Sequence, residues 1–424
     1  MLKLCFGPRP LTPRPTPPAH PSHVSPNFSF SQSLEGAFQE SGPLWTESGG
    51  ATLQKNEYSW NLFSTQIFIE APAGVGFSYA DTPAGTSHND TSTAADNLAA
   101  LEVFFAAYPE YSTQPFWITG ESYAGIYIPS LAYDIVTSGS KINLKGILVG
   151  NGCLGNAVGV CGSAAYGDYL SLAQYHGHGF ISDKAMDAAN AACGDWSTMT
   201  PACNTAARAA SREVGAHDVY DLYAGMYGQC PYGARKGLKP VPRTRAPASR
   251  PIVEGSVIAS MIERFGLGNT CTDDNDLTTY LGTPAVVAAL HVGAKGSAWE
   301  ECGGISYNSD IADERETIYP ALMAAKLQIV IYNGEADACV PITDNQWWTD
   351  SLNLTTIAPW TAWAADDGTT GGYITTYQSP GSFSFVTIRG AGHMVPQVQP
   401  VYALQFAKAA ITGTGFFAAA HGEL

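Results

Sequence analysis

No stretch of this 424-residue chain approaches the roughly 18 consecutive apolar residues of a membrane-spanning helix, so no span is expected. Charge is scarce too, at 14% of residues, and basic side chains are the minority: 21 Lys and Arg against 37 Asp and Glu, a net −16 at pH 7. A surface of that sign repels phosphate backbones, which excludes a general nucleic-acid binder, and its lower charge near pH 5 suits an acidic compartment. None of the nine cysteines forms a C-x-x-C pair, which removes the usual zinc and thioredoxin-like motifs. No internal repeat is visible, so a solenoid is not expected. What the chain has in quantity is apolar residues, 45% of the total, enough to bury a large core. The length fits two or three units, or one large α/β domain with an insertion.

Scattered cysteines and N-x-S/T sequons at Asn27, Asn89 and Asn353 point to an oxidising, secretory-pathway origin and to a glycoprotein. The 7–15-residue apolar stretch of a signal peptide does not follow Met1. Instead residues 8–26 carry eight of the 27 prolines and read as an extended, solvated leader, 1–32 in all, disordered or the product of a misassembled gene model.

From about residue 33 the texture becomes that of an α/β protein. Ile67–Ile69, Phe116–Thr119 and Ile147–Val149 are continuous apolar strands. Helical spacing marks Ala94–Tyr108 and Tyr123 to about Val136 between them. Strands apolar throughout, separated by helices, belong to a parallel sheet covered on both faces. The rhythm fails between about 153 and 312, where helical patches near 183–193 and 284–291 suggest an inserted, mainly helical cap; it returns at Leu327–Tyr332 and Phe383–Ile388. The core is therefore expected at 33–152 and 313–424. Within the insert, residues 235–250 hold six basic side chains among prolines and read as an exposed loop.

Gly120-Glu121-Ser122-Tyr123-Ala124-Gly125, at a strand-to-helix turn, is the strongest local signal for chemistry. A serine there is pushed above the sheet with its hydroxyl exposed. The usual pattern is G-x-S-x-G; Ala124 stands at the second glycine, and Gly125 follows. The serine needs a base and an orienting acid in the order Ser, Asp, His. Asp337 follows the strand 327–332 and His393 follows 383–388, each in a loop at a carboxyl end, where parallel sheets build sites. Ser122, Asp337 and His393 are thus the candidate nucleophile, orienting acid and general base. Glu335 and Asp344 are expected to be solvated loop charges, and His176-x-His178 has no evident third ligand, so no metal site is expected.

Together with Glu40-Ser41-Gly42-Pro43-Leu44, Ala71-Pro72-Ala73-Gly74-Val75-Gly76-Phe77-Ser78-Tyr79 and Gly390-Ala391-Gly392-His393-Met394-Val395-Pro396, the turn makes the chain resemble the serine carboxypeptidase family from about Ser33 to Phe416. The resemblance implies an α/β-hydrolase core with a helical cap and the release of single residues from peptides with a free C-terminus. It further implies action at acidic pH, in vacuoles, lysosomes or outside the cell, without a cofactor. It gives the Tyr123 amide as one oxyanion donor, Glu121 and Glu40 as the carboxyl pair that reads the substrate carboxylate, and Met394 as part of the leaving-residue pocket. Physically, Glu121 beside Ser122 repels a substrate carboxylate unless it holds a proton, and a second carboxyl nearby favours holding it.

One departure stands out. The family's W-x-N-G-G-P-G-C-S-S segment, which supplies the other oxyanion donor, is absent where Ser29-Phe30-Ser31-Gln32-Ser33 stands. Losing it predicts missing N-terminal strands, an exposed sheet edge beside the site and weak activity, because one oxyanion donor is worth about 10²–10³ in kcat. A proline-rich leader is not expected to mend that edge. Cys302 resembles the usual partner of the segment's cysteine and is left a candidate free thiol, as is Cys339. The pairs 153–161, 193–203 and 230–271 are set down with nothing in the residues to fix them. An acyltransferase on the same scaffold, or a non-catalytic chain, are the alternative readings.

Overall fold

The computed structural model describes residues 2–6, 33–47, 49–162, 165–215, 217–224, 274–292, 298–300 and 305–417. Eight strands form the main sheet: β1 Leu2–Phe6, β2 Thr65–Phe68, β3 Phe116–Ser122, β4 Leu144–Gly152, β5 Gln328–Gly334, β6 Thr356–Ala364, β7 Thr370–Tyr377 and β8 Ser382–Ile388. Their order across the sheet is β6-β7-β8-β5-β4-β3-β1-β2. The centre, β8-β5-β4-β3, is parallel, while β6 and β7 close one side as an antiparallel hairpin.

Continuous apolar strands are buried on both faces, as their composition requires. On one face Ile118, Ile147, Val149, Ile329, Ile331 and Phe385 pack with the helix Ala124–Thr137 through Ile128, Leu131 and Ile135. On the other, Leu148, Val330, Tyr332, Val386 and Ile388 meet Phe406, Ala407 and Ala410 of the helix Pro400–Thr412. This is the α/β-hydrolase architecture. The long helix after β2 runs Asp90–Ala107, four residues earlier than the spacing suggested, because Asn89 and Ser92 form a reciprocal capping box.

The open edge expected beside β3 does not occur. β1 lies in that place, antiparallel to both β3 and β2, with Leu2 opposite Gly120 and Phe6 opposite Phe116. These residues precede Pro8, the first proline, so every one of them keeps the amide a ladder needs.

Three helices, Ala165–Gly177, Asp183–Cys193 and Pro201–Ser211, build a separate apolar cluster around Leu172, Tyr175, Met186 and Trp196. The disulfide Cys193–Cys203 joins the last two of these helices, Cys153–Cys161 closes the loop after β4, and Cys339 is a free thiol. Residues 235–250, Cys230, Cys271, Cys302 and Asn27 lie outside the described residues. Among the described residues no helix is long and apolar enough to cross a membrane.

Candidate active site

Ser122 ends β3 with φ +62, a left-handed conformation that a side chain adopts only where the surroundings impose it. The imposing contact is Gly125. A Cβ there would lie 2.4 Å from both the N and O of Cys153, so helix and β4 backbone touch, and the turn between them must be tight. Ser122 O accepts from Cys153 N at 3.0 Å, which fixes the turn from the other side. The Tyr123 amide stands just ahead of the helix Ala124–Thr137, where N–H groups have no intrahelical acceptor.

Asp337 and His393 come together from the carboxyl ends of β5 and β8. His393 Nδ1 is 2.7 Å from Asp337 Oδ2, with the two residues 3% and 0% exposed. The carboxylate also accepts from Asn151 Nδ2 (2.8 Å), Val340 N (3.1 Å) and Cys339 N (2.7 Å). A group already accepting from three donors takes a fourth, so Nδ1 carries the imidazole proton and Nε2 is left with the lone pair a general base needs. Burial alone would push the His393 pKa down. The Asp337 charge, its hydrogen bond and the charge of Glu121 outweigh that and hold it above the ordinary histidine value. Among the described residues no hydrogen bond joins Ser122 to His393, a common state before substrate tightens such contacts.

Glu121 and Glu40 are each 1% exposed. Glu121 acts electrostatically on His393, and the segment Gly36–Glu40 packs against the turn Val395–Val398 that follows Met394, itself 7% exposed. Glu121 therefore lies within electrostatic reach of His393, and the segment that carries Glu40 packs beside the turn after Met394.

The acid and base loops are held by residues the sequence did not advertise. Asn151, at φ +40 and fully buried, donates to Asp337 and accepts from Gly334 N at 3.0 Å. Asn151 sits between Gly150 and Gly152 at the end of β4, and its amide, able to donate and accept at once, was the unread clue. Asn151→Ala removes both bonds, and kcat is expected to fall about 10-fold to 100-fold with KM little changed; steady-state kinetics on a peptide ester would show an unchanged kcat if Asn151 merely fills space. From the insert, Tyr220 O accepts His393 N at 2.7 Å, its ring lies 5.0 Å from the imidazole, and Leu222 N and Val219 O bond to Ala336 and Ala338.

Two expected solvated acids are otherwise. Asp344 is 1% exposed: it sits in the first turn of the helix Ile342–Ser351 and accepts from Val160 N at 3.0 Å, with Gly159 packed on its carboxyl. Glu335 Oε1 accepts from Gly390 N at 2.9 Å and so ties the two loops. His176 pairs with Asp183 and His178 with Tyr223, at 2.8 and 2.6 Å.

The model of the serine carboxypeptidase family matches residues 30–413. Serine carboxypeptidase-like 29 of Arabidopsis thaliana is 35% identical over 89% of this chain and 75% of its own length. The lysosomal protective protein of Mus musculus is 34% identical, covering 87% and 79%. The crystal structure of a prohormone-processing carboxypeptidase from Saccharomyces cerevisiae, Kex1(Δ)p, superposes with a TM-score of 0.64 at 20% identity, over 90% of this chain and 80% of that one, which shows the same fold. With the family's pattern running through nearly the whole sequence and relatives above 30% identity, this chain belongs to the serine carboxypeptidase family of peptidases.

Proposed function

We propose that this chain releases C-terminal residues from peptides at acidic pH through an acyl-enzyme. The observation that carries the reading is the buried Asp337–His393 pair at 2.7 Å, within electrostatic reach of the Glu121-Ser122 turn. His393 Nε2 takes the Ser122 proton as Oγ attacks the scissile carbonyl, then delivers it to the leaving amine; Asp337 stabilises the imidazolium. Water, deprotonated in turn by His393, splits the ester and frees the peptide acid. The Tyr123 amide faces the oxyanion. Glu121, protonated at acidic pH, donates a hydrogen bond to the substrate's terminal carboxylate with Glu40 as the second carboxyl of the pair, and Met394 lines the leaving-residue pocket. The core comprises 33–152 and 313–424, with 153–312 as the cap. Two disulfides and the lysosomal name of one relative favour a secretory route to a vacuole, a lysosome or the outside.

Glu121→Gln tests the exopeptidase part. The amide donates at every pH, so the rise of KM with pH should flatten. An unchanged pH profile of KM would mean that Glu121 does not read the carboxylate.

A further inference from the structure

Directly after the nucleophile, the Tyr123 side chain enters a polar knot. Its hydroxyl lies 2.9 Å from Asp90 Oδ1, 2.9 Å from Asn156 Oδ1 and 3.1 Å from Ser309 Oγ. Its ring meets Tyr127 edge-on at 5.0 Å and Tyr307 at 6.1 Å. Asp90 is the centre of this knot, 1% exposed and at the first position of the helix Asp90–Ala107. Besides Tyr123 it accepts from Asn156 Nδ2 at 3.0 Å, from the amides of Asp310 and Ile311 at 2.8 and 2.9 Å, and from the Tyr307 hydroxyl. One carboxylate thus binds four segments: a helix start, the nucleophile turn, the loop after β4 and the chain returning from the insert.

Such a density of bonds is more than the helix end requires, since Asn89 and Ser92 already cap it. The turn, by contrast, needs an anchor. Ser122 is held at positive φ, and the Tyr123 amide stays aimed at the oxyanion only while the Tyr123 Cα stays put. A side chain fixed at its ring and at its tip is a lever on that Cα. We propose that Asp90 is a positioning residue for the oxyanion amide, acting through the Tyr123 hydroxyl. The inference rests on the serine-peptidase reading above.

The test compares two phenol deletions on the same Asp90 oxygen. Tyr123→Phe keeps the ring and leaves Asp90 its other donors. Tyr307→Phe removes an equivalent bond from a residue outside the turn. Hydrolysis of a peptide ester gives kcat and KM, and the rate of inactivation by a phosphonate, whose oxygen occupies the oxyanion position, reports the hole directly. For Tyr123→Phe, kcat and the phosphonylation rate are expected to fall together by roughly 10-fold to 100-fold, with KM within about twofold. Tyr307→Phe is expected to keep both rates within about threefold even if its melting point drops. Adding Asp90→Asn to Tyr123→Phe should cost little more, because the lever is already cut. The proposal is overturned if Tyr123→Phe reacts like the parent, or if Tyr307→Phe loses as much. A parent protein that hydrolyses nothing and is not labelled at Ser122 would instead refute the peptidase reading itself.

Discussion

Ser122→Ala is expected to lower kcat/KM for peptide hydrolysis by roughly 10⁴-fold or more while the protein still folds. The fold survives because Ser122 contributes its backbone to the turn, through Cys153 N on its carbonyl, and its side chain fills no core. Asp337→Asn strikes the same unit differently. An amide presents an NH₂ where Oδ2 now accepts from His393, so the imidazole is turned to the wrong tautomer or orientation. The combined variant should be little worse than Ser122→Ala alone, since the three side chains act as one device. Turnover by Ser122→Ala within about tenfold of the parent would remove Ser122 from the mechanism.

The second large effect concerns stability against pH. Several carboxyls are buried in this fold, and burial, the leading cause in each, raises them: Glu70 and Asp344 to about 7, Asp90 and Asp221 to about 6, and Glu314 well above its ordinary range. A carboxyl raised in the folded state is harder to ionise there than in the unfolded chain. Nothing is lost while both forms hold the proton, below about pH 4. As pH climbs from there to about 7, the unfolded chain ionises freely and the folded one does not, at a cost of about 1.4 kcal/mol for every tenfold loss of acidity. Buried His88, lowered to about 4, works in the opposite direction over the same window, as do His178 and His217. The carboxyls are more numerous and Asp344 alone is worth on the order of a few kcal/mol, so they prevail. Melting temperature should therefore be clearly higher at pH 5 than at pH 8. Asp344→Asn, which keeps the acceptor for Val160 N, should stabilise at pH 8 and change little at pH 4. A melting temperature that rises towards pH 8, or an Asp344→Asn protein without that pH-dependent gain, would refute this account.

Much of the catalytic side was legible because the chemistry sits where the chain advertises its turns. Gly120-Glu121-Ser122 follows an apolar strand, and Asp337 and His393 each follow another, so strand ends and residue types together named the candidates. The hairpin of β6 and β7 went unread because it lacks a clean apolar run: most of Thr356–Ala364 is exposed. Its turn was nevertheless signposted by Asp366-Asp367-Gly368, with Gly368 at φ +82. Asp344 was misread because a charged residue after a loop looks solvated until a distant segment covers it, and Val160 comes from far along the chain. Asn151, Asp90 and Tyr220 share that difficulty. Their parts are defined by partners from other segments, which no local pattern encodes.

The contact of Tyr220 with His393 also bears on when the proposed catalytic residues come together during synthesis. The nucleophile turn is made early, the insert next, and the strands that end in Asp337 and His393 last. The backbone that receives the base, through Tyr220 O, and the acid loop, through Val219 O and Leu222 N, belongs to the insert. A growing chain whose Ser122 turn is complete thus still lacks Asp337 and His393, and His393, once made, finds its backbone partner in the segment around Tyr220. On the proposed mechanism, hydrolysis waits until the last strand of the main sheet and its loop have docked, a form of latency that needs no inhibitor.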